Sequence, residues 1–313
     1  MAVVYALEKH QINGVDQWIL FSGKNDQNPV LLFLHGGPGL PLFPLRKEIV
    51  KKTKLEDYFT VAYWEQRGSG KSFSKQIPDD SMHISQMEAD THVVVKLVAK
   101  KFAQASIYLM GHSWGSLLGL RQAAQHPELI TAYLGIGQLI NALTSDRQSY
   151  DFTLQQARKQ NKKAALKQLE KIGPPPFNVN KLMQQRGLLQ KFDGTRRDGG
   201  GSLLQLVKDA FTTPEYRLKE VFSMLSNALY SLNHLWDELY QYDLHEINKV
   251  EVPVYFLHGR HDHTVSYDVA HSFYEKLEAP KGKKFITFEN SAHYPFVEEA
   301  EVFNDFLTKE FSH

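Results

Sequence analysis

Two patterns of apolar and polar positions follow each other along the first part of the chain. Several short runs are apolar almost throughout, which is typical of strands covered on both faces of a mostly parallel sheet. Between them, residues 85–103 and 114–127 repeat their apolar positions at helical spacing, and the second segment ends near Pro127. The apolar runs predict strands at 17–22, 30–35, 59–64, 107–110 and 132–137.

The same alternation resumes near the end of the chain. Strands are predicted at 252–259 and 283–289, with helices near 267–278 and 297–311. Strands that alternate with helices in this way pack as a sheet between helical layers. The sequence therefore predicts an α/β fold with a mostly parallel central sheet and helices on both faces.

The middle of the chain lacks this alternation. Residues 146–172 have a polar helical pattern that ends at a Gly-Pro-Pro-Pro run. A Gly-rich stretch at 193–202 is predicted to be a flexible, solvated loop, and a helical pattern resumes over 216–240. A helical block inserted between two halves of one sheet predicts a cap, or lid, over the strand ends. The predicted domains are a core made of 1–139 and 247–313 and a helical cap of 140–246.

Charge and composition exclude several classes of protein. Lys and Arg number 36 and Asp and Glu 35 among the 313 residues, without a basic cluster, so nucleic acid is not an expected partner. The absence of cysteine excludes disulfides and thiolate chemistry. The first residues lack a signal-peptide pattern, and no apolar run reaches the ~18 to 20 residues of a membrane span. We expect a soluble, cytoplasmic protein with no membrane partner, and the pattern does not indicate an oligomeric state.

The motif Gly111-His112-Ser113-Trp114-Gly115 follows a buried-type strand and opens a helix. This setting is typical of a nucleophile elbow, in which a serine occupies a sharp, strained turn. Side chains at the two glycine positions would clash there. The serine hydroxyl would lie at a helix N-terminus, where backbone N–H groups favour negative charge. The alternative is an ordinary helix-capping serine.

A second glycine-rich motif, His-Gly-Gly-Pro-Gly at 35–39, comes directly after an apolar strand. A site of this kind needs a backbone donor at that point for the oxyanion of a tetrahedral intermediate. We therefore predict that the N–H groups of Gly37 and Trp114 form the oxyanion hole. A simple turn is the alternative interpretation of this motif.

The general base is predicted to come from the far end of the chain. His112 is excluded because adjacent side chains on a sharp turn diverge, whereas a base must reach the hydroxyl. His293 lies in the loop between a predicted strand and the last helix, and Asp262 lies in the loop after the preceding strand. The order Ser113, Asp262, His293 is the chain order of triads in α/β-hydrolases. Asp262 would orient the imidazole and stabilise its charged form.

Two other motifs suggest ligands that we do not predict. Residues 65–72 end like a phosphate-binding P-loop, but Glu65 stands where that motif requires glycine. Three histidines surround Asp262 within 258–263, yet zinc would need further ligands from elsewhere. We interpret them as surface-loop histidines and expect neither a metal nor an organic cofactor.

Three motifs together resemble the proline iminopeptidase (prolyl aminopeptidase) branch of the α/β-hydrolase superfamily, namely 35–39, 65–72 and 111–115. The resemblance covers the core, roughly 1–140 and 247–313, and implies an α/β-hydrolase fold. The catalytic and oxyanion residues that it implies are Ser113, Asp262, His293, Gly37 and Trp114.

The resemblance also implies a substrate. Members of that branch cleave an N-terminal residue, often proline, from peptides, and acidic side chains of the cap hold the substrate amino group. Trp114 would then form part of the pocket wall. Two positions differ from the common residues of the family, Glu65 in place of Asp and His112 in place of Gly. The cap lacks the family's acidic stretch, so the substrate-binding candidates are Gly36, Glu215, Glu220 and Glu238.

The predicted function is that of a serine hydrolase acting through an acyl-enzyme and releasing N-terminal proline or another small residue from peptides. A small-molecule carboxylesterase or amidase is the alternative, and a non-catalytic binding protein of this fold is the remote one. The cap lining separates the first two, because a carboxylate pair would bind an ammonium group whereas apolar walls would suit an ester. For three cap aromatics, helix packing is favoured over a pocket wall: Trp236, Tyr240 and Tyr242.

Overall fold

An eight-stranded sheet runs through the computed structural model, which describes residues 2–201 and 203–312. The strands are β1 (Val4–Ile12), β2 (Val15–Gly23), β3 (Val30–Leu34), β4 (Thr60–Glu65), β5 (Ile107–His112), β6 (Ile130–Ile136), β7 (Val254–Gly259) and β8 (Lys283–Phe288). In space they lie in the order β1-β2-β4-β3-β5-β6-β7-β8. The pairs β1–β2 and β2–β4 are antiparallel, and the remaining neighbours are parallel. The predicted mostly parallel α/β sheet is confirmed.

Helices flank the sheet and fill the insertion. The core helices are α1 (Leu42–Lys52), α2 (Leu55–Tyr58), α3 (Ile84–Lys101), α4 (Trp114–Gln125), α10 (Tyr267–Lys276), α11 (Pro295–Glu298) and α12 (Ala300–Phe311). Between β6 and β7 stand α5 (Ala142–Lys159), α6 (Lys163–Ile172), α7 (Val179–Gln190), α8 (Leu203–Phe211) and α9 (Leu218–Leu239). These five lie within the stretch 140–246 interpreted as a cap. No helix in the described ranges combines the length and apolar character that crossing a membrane requires.

Both faces of the sheet are buried, as the continuous apolar runs predict. In β3, Leu32 and Leu34 belong to the hydrophobic cluster that includes side chains of α3 and α4. Leu31 and Phe33 belong to the cluster on the other face, with side chains of α1 and α12. Successive residues of a strand point to opposite faces, so one apolar run supplies two cores. This explains why these strands show no polar alternation.

Strand β1 was not expected from the sequence. It pairs with β2 along its whole length and stands at the edge of the sheet. Its residues are mostly half-buried or exposed, and charged side chains such as Glu8 and Lys9 interrupt its apolar positions. An edge strand of this kind lacks the continuous apolar signal that identified the central strands.

The helical predictions differ from the structure in their boundaries. The predicted helix 146–172 is two helices, because α5 ends at Lys159 and α6 begins at Lys163. The predicted last helix is preceded by the short α11, and four helices are additional to the prediction: α1, α2, α7 and α8. Helix α1 contains Pro44 in its first turn, where proline is tolerated but gives the sequence the appearance of a loop.

The Gly-rich stretch predicted as a solvated loop contains a buried arginine. Arg196 is only 3% exposed. Its guanidinium pairs with Glu48 of α1 and with Asp198. The interpretation of this stretch as solvated is therefore wrong at Arg196, because the guanidinium lies between two carboxylates. The last residue of the predicted loop, position 202, lies outside the described residues.

Candidate active site

Ser113 occupies the turn between β5 and α4, with backbone angles φ 55° and ψ −120°. A positive φ is strained for a residue with a Cβ. The flanking glycines allow the turn: a Cβ on Gly111 would lie 2.4 Å from the Gly115 carbonyl oxygen, and a Cβ on Gly115 would lie 2.2 Å from the Leu34 carbonyl oxygen. The Ser113 N–H donates to the Ile136 carbonyl oxygen at 2.9 Å. The turn has the strained, glycine-flanked geometry that a nucleophile elbow requires.

The loops after β7 and β8 bring Asp262 and His293 together. His293 Nδ1 lies 2.7 Å from Asp262 Oδ2, and both side chains are buried. The other carboxylate oxygen accepts the backbone N–H groups of Thr264 and Val265 at 2.9 Å each. Burial opposes ionisation, but attraction to His293 and hydrogen bonds from two histidines outweigh it and hold the pKa of Asp262 well below its usual range. Asp262 is therefore a carboxylate that accepts from Nδ1, which leaves Nε2 of His293 as the basic nitrogen.

His112 contacts the backbone of the predicted base. Its Nε2 lies 2.9 Å from the carbonyl oxygen of His293, so Nε2 is the donor. Burial and the neighbouring His293 lower the pKa of His112 to about 3, so its ring is neutral. From the other side, the His293 N–H donates to the carbonyl oxygen of Thr195 at 3.0 Å. Two hydrogen bonds thus fix the backbone of His293, one from the elbow and one from the 193–201 segment.

The two predicted oxyanion donors belong to the segments that adjoin Ser113. A Cβ on Gly36 would lie 3.2 Å from the Ser113 Cβ. Glycine at this position therefore allows the segment after β3 to lie close to Ser113. Gly37 has φ +127°, and a Cβ there would lie 2.7 Å from the Gly39 nitrogen. Trp114 is the first residue of α4, where helical N–H groups have no carbonyl partner within the helix.

The side chain of Trp114 is not part of a pocket wall. It is 1% exposed and belongs to the hydrophobic cluster under α3 and α4. Its Nε1 donates to the side-chain oxygen of Gln66 at 2.9 Å. The implied role of the indole in the wall is therefore wrong, because the ring points into the core. The backbone N–H of Trp114 remains the predicted oxyanion donor, because Trp114 is the first residue of α4.

A cavity of about 470 Å³ lies between the core and the cap helices, and Gly36, Gly37, Ser113 and His293 line it. About half of the other lining residues are apolar, and they come from the loop after β3, from α1, from the loop before α5, from the cap and from the loop after β7. Trp236 of α9 is one of them, so the pocket-wall alternative applies to that residue. Three carboxylates also line the cavity, and they are Glu48, Asp146 and Asp209.

Two of the three cavity carboxylates carry an arginine partner. Asp146 pairs with Arg186, and Glu48 pairs with Arg196. Asp209 accepts from the side-chain amide of Gln205 at 3.0 Å. These acids were not predicted, because each lies on a helix whose residue spacing does not reveal which face covers the cavity. No local motif in the sequence marks them.

The glutamates chosen from the cap sequence lie elsewhere. Glu215, Glu220 and Glu238 are absent from the cavity lining, whereas Gly36 is part of it. Glu220 accepts the N–H of Arg217 at 2.9 Å and closes the first turn of its own helix. The other two join the cap to the core, through Tyr5 and Arg46 for Glu215 and through the Ile84 N–H for Glu238.

The histidine cluster around Asp262 is a packing feature. His258 is fully buried near the end of β7, and its Nε2 lies 3.3 Å from Asp262 Oδ2. His263 stacks on Phe152 with ring centroids 3.5 Å apart. The interpretation as surface histidines is wrong for His258, because both faces of β7 are covered. Within the described residues, no group of three or more His, Asp or Glu side chains is arranged to hold a metal ion.

Comparison with known proteins agrees with the fold. A family model for the alpha/beta hydrolase fold matches residues 29–300. The chain is 34% identical over 314 aligned residues to "Probable aminopeptidase YbaC" of Bacillus subtilis (strain 168), with 98% of this chain and 96% of that protein covered. A proline iminopeptidase of Saccharolobus solfataricus is 22% identical, with 96% of this chain and 92% of that protein covered.

A solved structure shows the same architecture. The proline iminopeptidase of Mycobacterium smegmatis superposes with a TM-score of 0.68 at 16% identity, and 97% of each chain is covered. The family model spans most of the chain, and the Bacillus relative aligns over nearly its whole length. The chain therefore belongs to the α/β-hydrolase family, and its relatives include proteins named as aminopeptidases and proline iminopeptidases.

Proposed function

We propose that the protein is a serine hydrolase that acts through an acyl-enzyme. The observation that carries the proposal is the 2.7 Å contact between Asp262 and His293, because His293 lines the same cavity as the strained Ser113. A nucleophile, a base and a group that orients the base are the parts that acyl transfer needs.

In the proposed reaction, Ser113 Oγ attacks the substrate carbonyl carbon while His293 Nε2 takes the hydroxyl proton. Asp262 stabilises the imidazolium that results. The N–H groups of Gly37 and Trp114 hold the oxyanion of the tetrahedral intermediate. Collapse of the intermediate breaks the bond to the leaving group, which receives the proton from His293. Water then attacks the acyl-serine by the same route and regenerates the Ser113 hydroxyl.

The substrate that we propose is a short peptide with a free N-terminal amine, from which proline or another small residue is released. The name of the Bacillus relative, at 34% identity over nearly the whole chain, supports aminopeptidase activity. The cavity supports it through a carboxylate that has no arginine partner among the described residues, that of Asp209. Asp209 is the best placed of the three cavity carboxylates to hold an ammonium group, because its partner Gln205 is neutral whereas the other two are paired with arginines.

A carboxylesterase or amidase is the second candidate, and the cavity wall favours it. Leucine, proline and tryptophan side chains make up much of the lining around Ser113. Apolar walls with a few polar groups suit an uncharged acyl chain.

Three chromogenic substrates separate these activities: proline p-nitroanilide, its N-blocked counterpart and p-nitrophenyl butyrate. We expect the wild type to cleave the free-amine anilide and not the blocked one. Ser113→Ala should lower kcat by on the order of 10⁶-fold, because the nucleophile is lost. Cleavage of the butyrate alone would establish the esterase instead. Unchanged activity of Ser113→Ala on every cleaved substrate would contradict the serine mechanism.

A further inference from the structure

Gln66 connects the two segments that carry the proposed oxyanion donors. It follows β4 and is 2% exposed. Its side-chain oxygen accepts from Trp114 Nε1 at 2.9 Å. Its side-chain amide donates to the carbonyl oxygen of His35 at 3.1 Å, and its backbone N–H donates to His35 Nε2 at 3.1 Å. One buried residue therefore contacts both the start of α4 and the segment after β3.

The contact with His35 determines the state of that ring. A backbone N–H only donates, so Nε2 of His35 accepts from Gln66 and Nδ1 carries the proton. Nδ1 lies 2.8 Å from the Gly36 carbonyl oxygen and donates to it. Burial lowers the pKa of His35 to about 4, which keeps the ring neutral and this arrangement in place.

The Gly36 carbonyl and the Gly37 N–H belong to one peptide group. That group is planar and trans, so its C=O and N–H point in opposite directions. A hydrogen bond that holds the carbonyl of Gly36 therefore also sets the direction of the Gly37 N–H. Glycine on both sides gives this peptide little steric restraint of its own, because neither residue has a Cβ.

On the other side, Gln66 holds the first residue of α4. Trp114 follows Ser113 directly, and its indole is anchored at Nε1. The anchored ring restricts the backbone of Trp114, whose N–H is the second proposed donor. Gln66 itself does not line the cavity and acts through these neighbours.

We propose that Gln66 is a positioning residue for the oxyanion hole, which holds the N–H groups of Gly37 and Trp114 in fixed relative orientation through His35 and the Trp114 indole. This inference rests on the proposed function. In this proposal, Gln66 of the Glu-Gln-Arg-Gly motif at 65–68 supports the two donors that would stabilise the oxyanion. A side-chain amide suits the position because its NH2 group donates and its oxygen accepts. A carboxylate there would lose the donor, and a methionine would lose both groups.

The test compares the variant Gln66→Met with Gln17→Met, a control variant at another buried glutamine. Gln17 is also fully buried, its oxygen accepts from Trp64 Nε1 at 2.9 Å, and its amide donates to Asp90 at 2.7 Å. Gln17→Met removes an amide–indole hydrogen bond of the same length away from the cavity. The readouts are kcat, KM and the inhibition constant of a trifluoromethyl ketone built on the cleaved substrate, which forms an oxyanion when Ser113 adds to it.

For Gln66→Met we expect kcat to fall about 10- to 100-fold, which is less than the ~10²–10³-fold effect of deleting one donor. The inhibition constant should rise by a similar factor, while KM changes less than about threefold because ground-state binding is retained. Gln17→Met should lose thermal stability and keep kcat and the inhibition constant. Gln66→Met with wild-type kcat and inhibition constant would overturn the proposal, and so would equal losses of kcat in both variants.

A second variant covers the case in which Gln66→Met does not fold. Trp114→Phe keeps the backbone N–H and replaces the indole by a smaller ring that lacks the N–H donor to Gln66. We expect kcat to fall and the inhibition constant to rise with little change in KM, and unchanged values would overturn the proposal. Ser113→Ala separates the two levels of inference. An active Ser113→Ala refutes the proposed function, whereas an inactive Ser113→Ala with unimpaired Gln66→Met and Trp114→Phe refutes only the role of Gln66.

Discussion

At the scale of single residues, Gly137 shows how little space surrounds the imidazole of His293. It follows β6 and has φ +52°. A Cβ at this position would lie 3.1 Å from Cε1 and Nδ1 of His293 and 3.3 Å from Asp262 Oδ2. These distances are shorter than ordinary carbon contacts, so the His–Asp pair depends on the missing side chain.

We predict that Gly137→Ala lowers kcat by at least about 10-fold, because the added methyl group displaces the proposed base and a shift near 1 Å costs about 10²-fold. Steady-state kinetics on the best of the three chromogenic substrates measures this. Gly14→Ala is the control, since Gly14 has φ +81° and a Cβ there would meet nothing within 4 Å. It should cost about 1–2 kcal/mol of stability and leave kcat unchanged. Equal kcat in both variants would contradict the prediction.

The residues of the proposed mechanism could be chosen from the sequence, but Gly137 could not. Ser113 lies in a local motif, and Asp262 and His293 follow predicted strands in a characteristic chain order. The role of Gly137 arises only where the loops after β6, β7 and β8 meet. The cavity acid Asp209 was missed for a related reason, because it lies on α8 in the cap and its facing depends on how that helix packs.

At the scale of elements, a buried ion pair joins parts that are distant in sequence. Arg67 follows β4 and Asp90 lies in α3, and both are at most 1% exposed. The guanidinium makes two hydrogen bonds to the carboxylate, at 2.8 and 3.0 Å. It also donates to the carbonyl oxygen of Asn13 in the β1–β2 turn at 3.2 Å. The arginine of the Glu-Gln-Arg-Gly motif therefore connects three elements.

We predict that Asp90→Ala lowers the free energy of unfolding by about 3–5 kcal/mol, because it leaves a buried guanidinium without a counter-charge. The double variant Arg67→Met, Asp90→Leu should be less destabilised than Asp90→Ala, since no charge is left buried. Urea unfolding followed by tryptophan fluorescence measures both. A double variant as unstable as Asp90→Ala alone would contradict this account.

Elements covered on both faces were predicted best. The central strands were found because a continuous apolar run identifies a strand between two helical layers. β1 was missed because an edge strand needs no such run, and α5 and α6 were merged because the turn between them is as polar as the helices. A strand buried on both faces has a continuous apolar sequence and can be recognised from it. A strand or helix with less burial lacks that signal and is harder to predict.

At the scale of the whole molecule, Glu65 connects the core to the cap. It is fully buried, and its carboxylate accepts the N–H groups of Leu42, Phe43 and Lys71. The hydroxyl of Tyr216, from the segment before α9, donates to the same carboxylate. Burial raises the pKa of Glu65 from 4.5 to about 7, although these hydrogen bonds lower it in part.

This pKa predicts a pH dependence of stability. The folded protein binds the Glu65 proton more tightly than the unfolded chain, so the contribution is complete below about pH 4.5 and is lost as the pH rises through about 7. The shift corresponds to about 3 kcal/mol. Over this range, the free energy of unfolding of the wild type should fall by up to about 3 kcal/mol more than that of Glu65→Gln. Denaturant unfolding at several pH values tests this, and parallel profiles would contradict it.

The position of β7 and β8 near the end of the chain also has a consequence for biosynthesis. These two strands carry the loops of Asp262 and His293, whereas Ser113 follows β5. A ribosome adds ~5–20 residues per second, so the elbow is made on the order of ten seconds before the imidazole that would activate it. During that interval a nascent chain would already contain the proposed nucleophile but not the proposed base. Order of synthesis alone would therefore delay the proposed activity until the last part of the chain has been made.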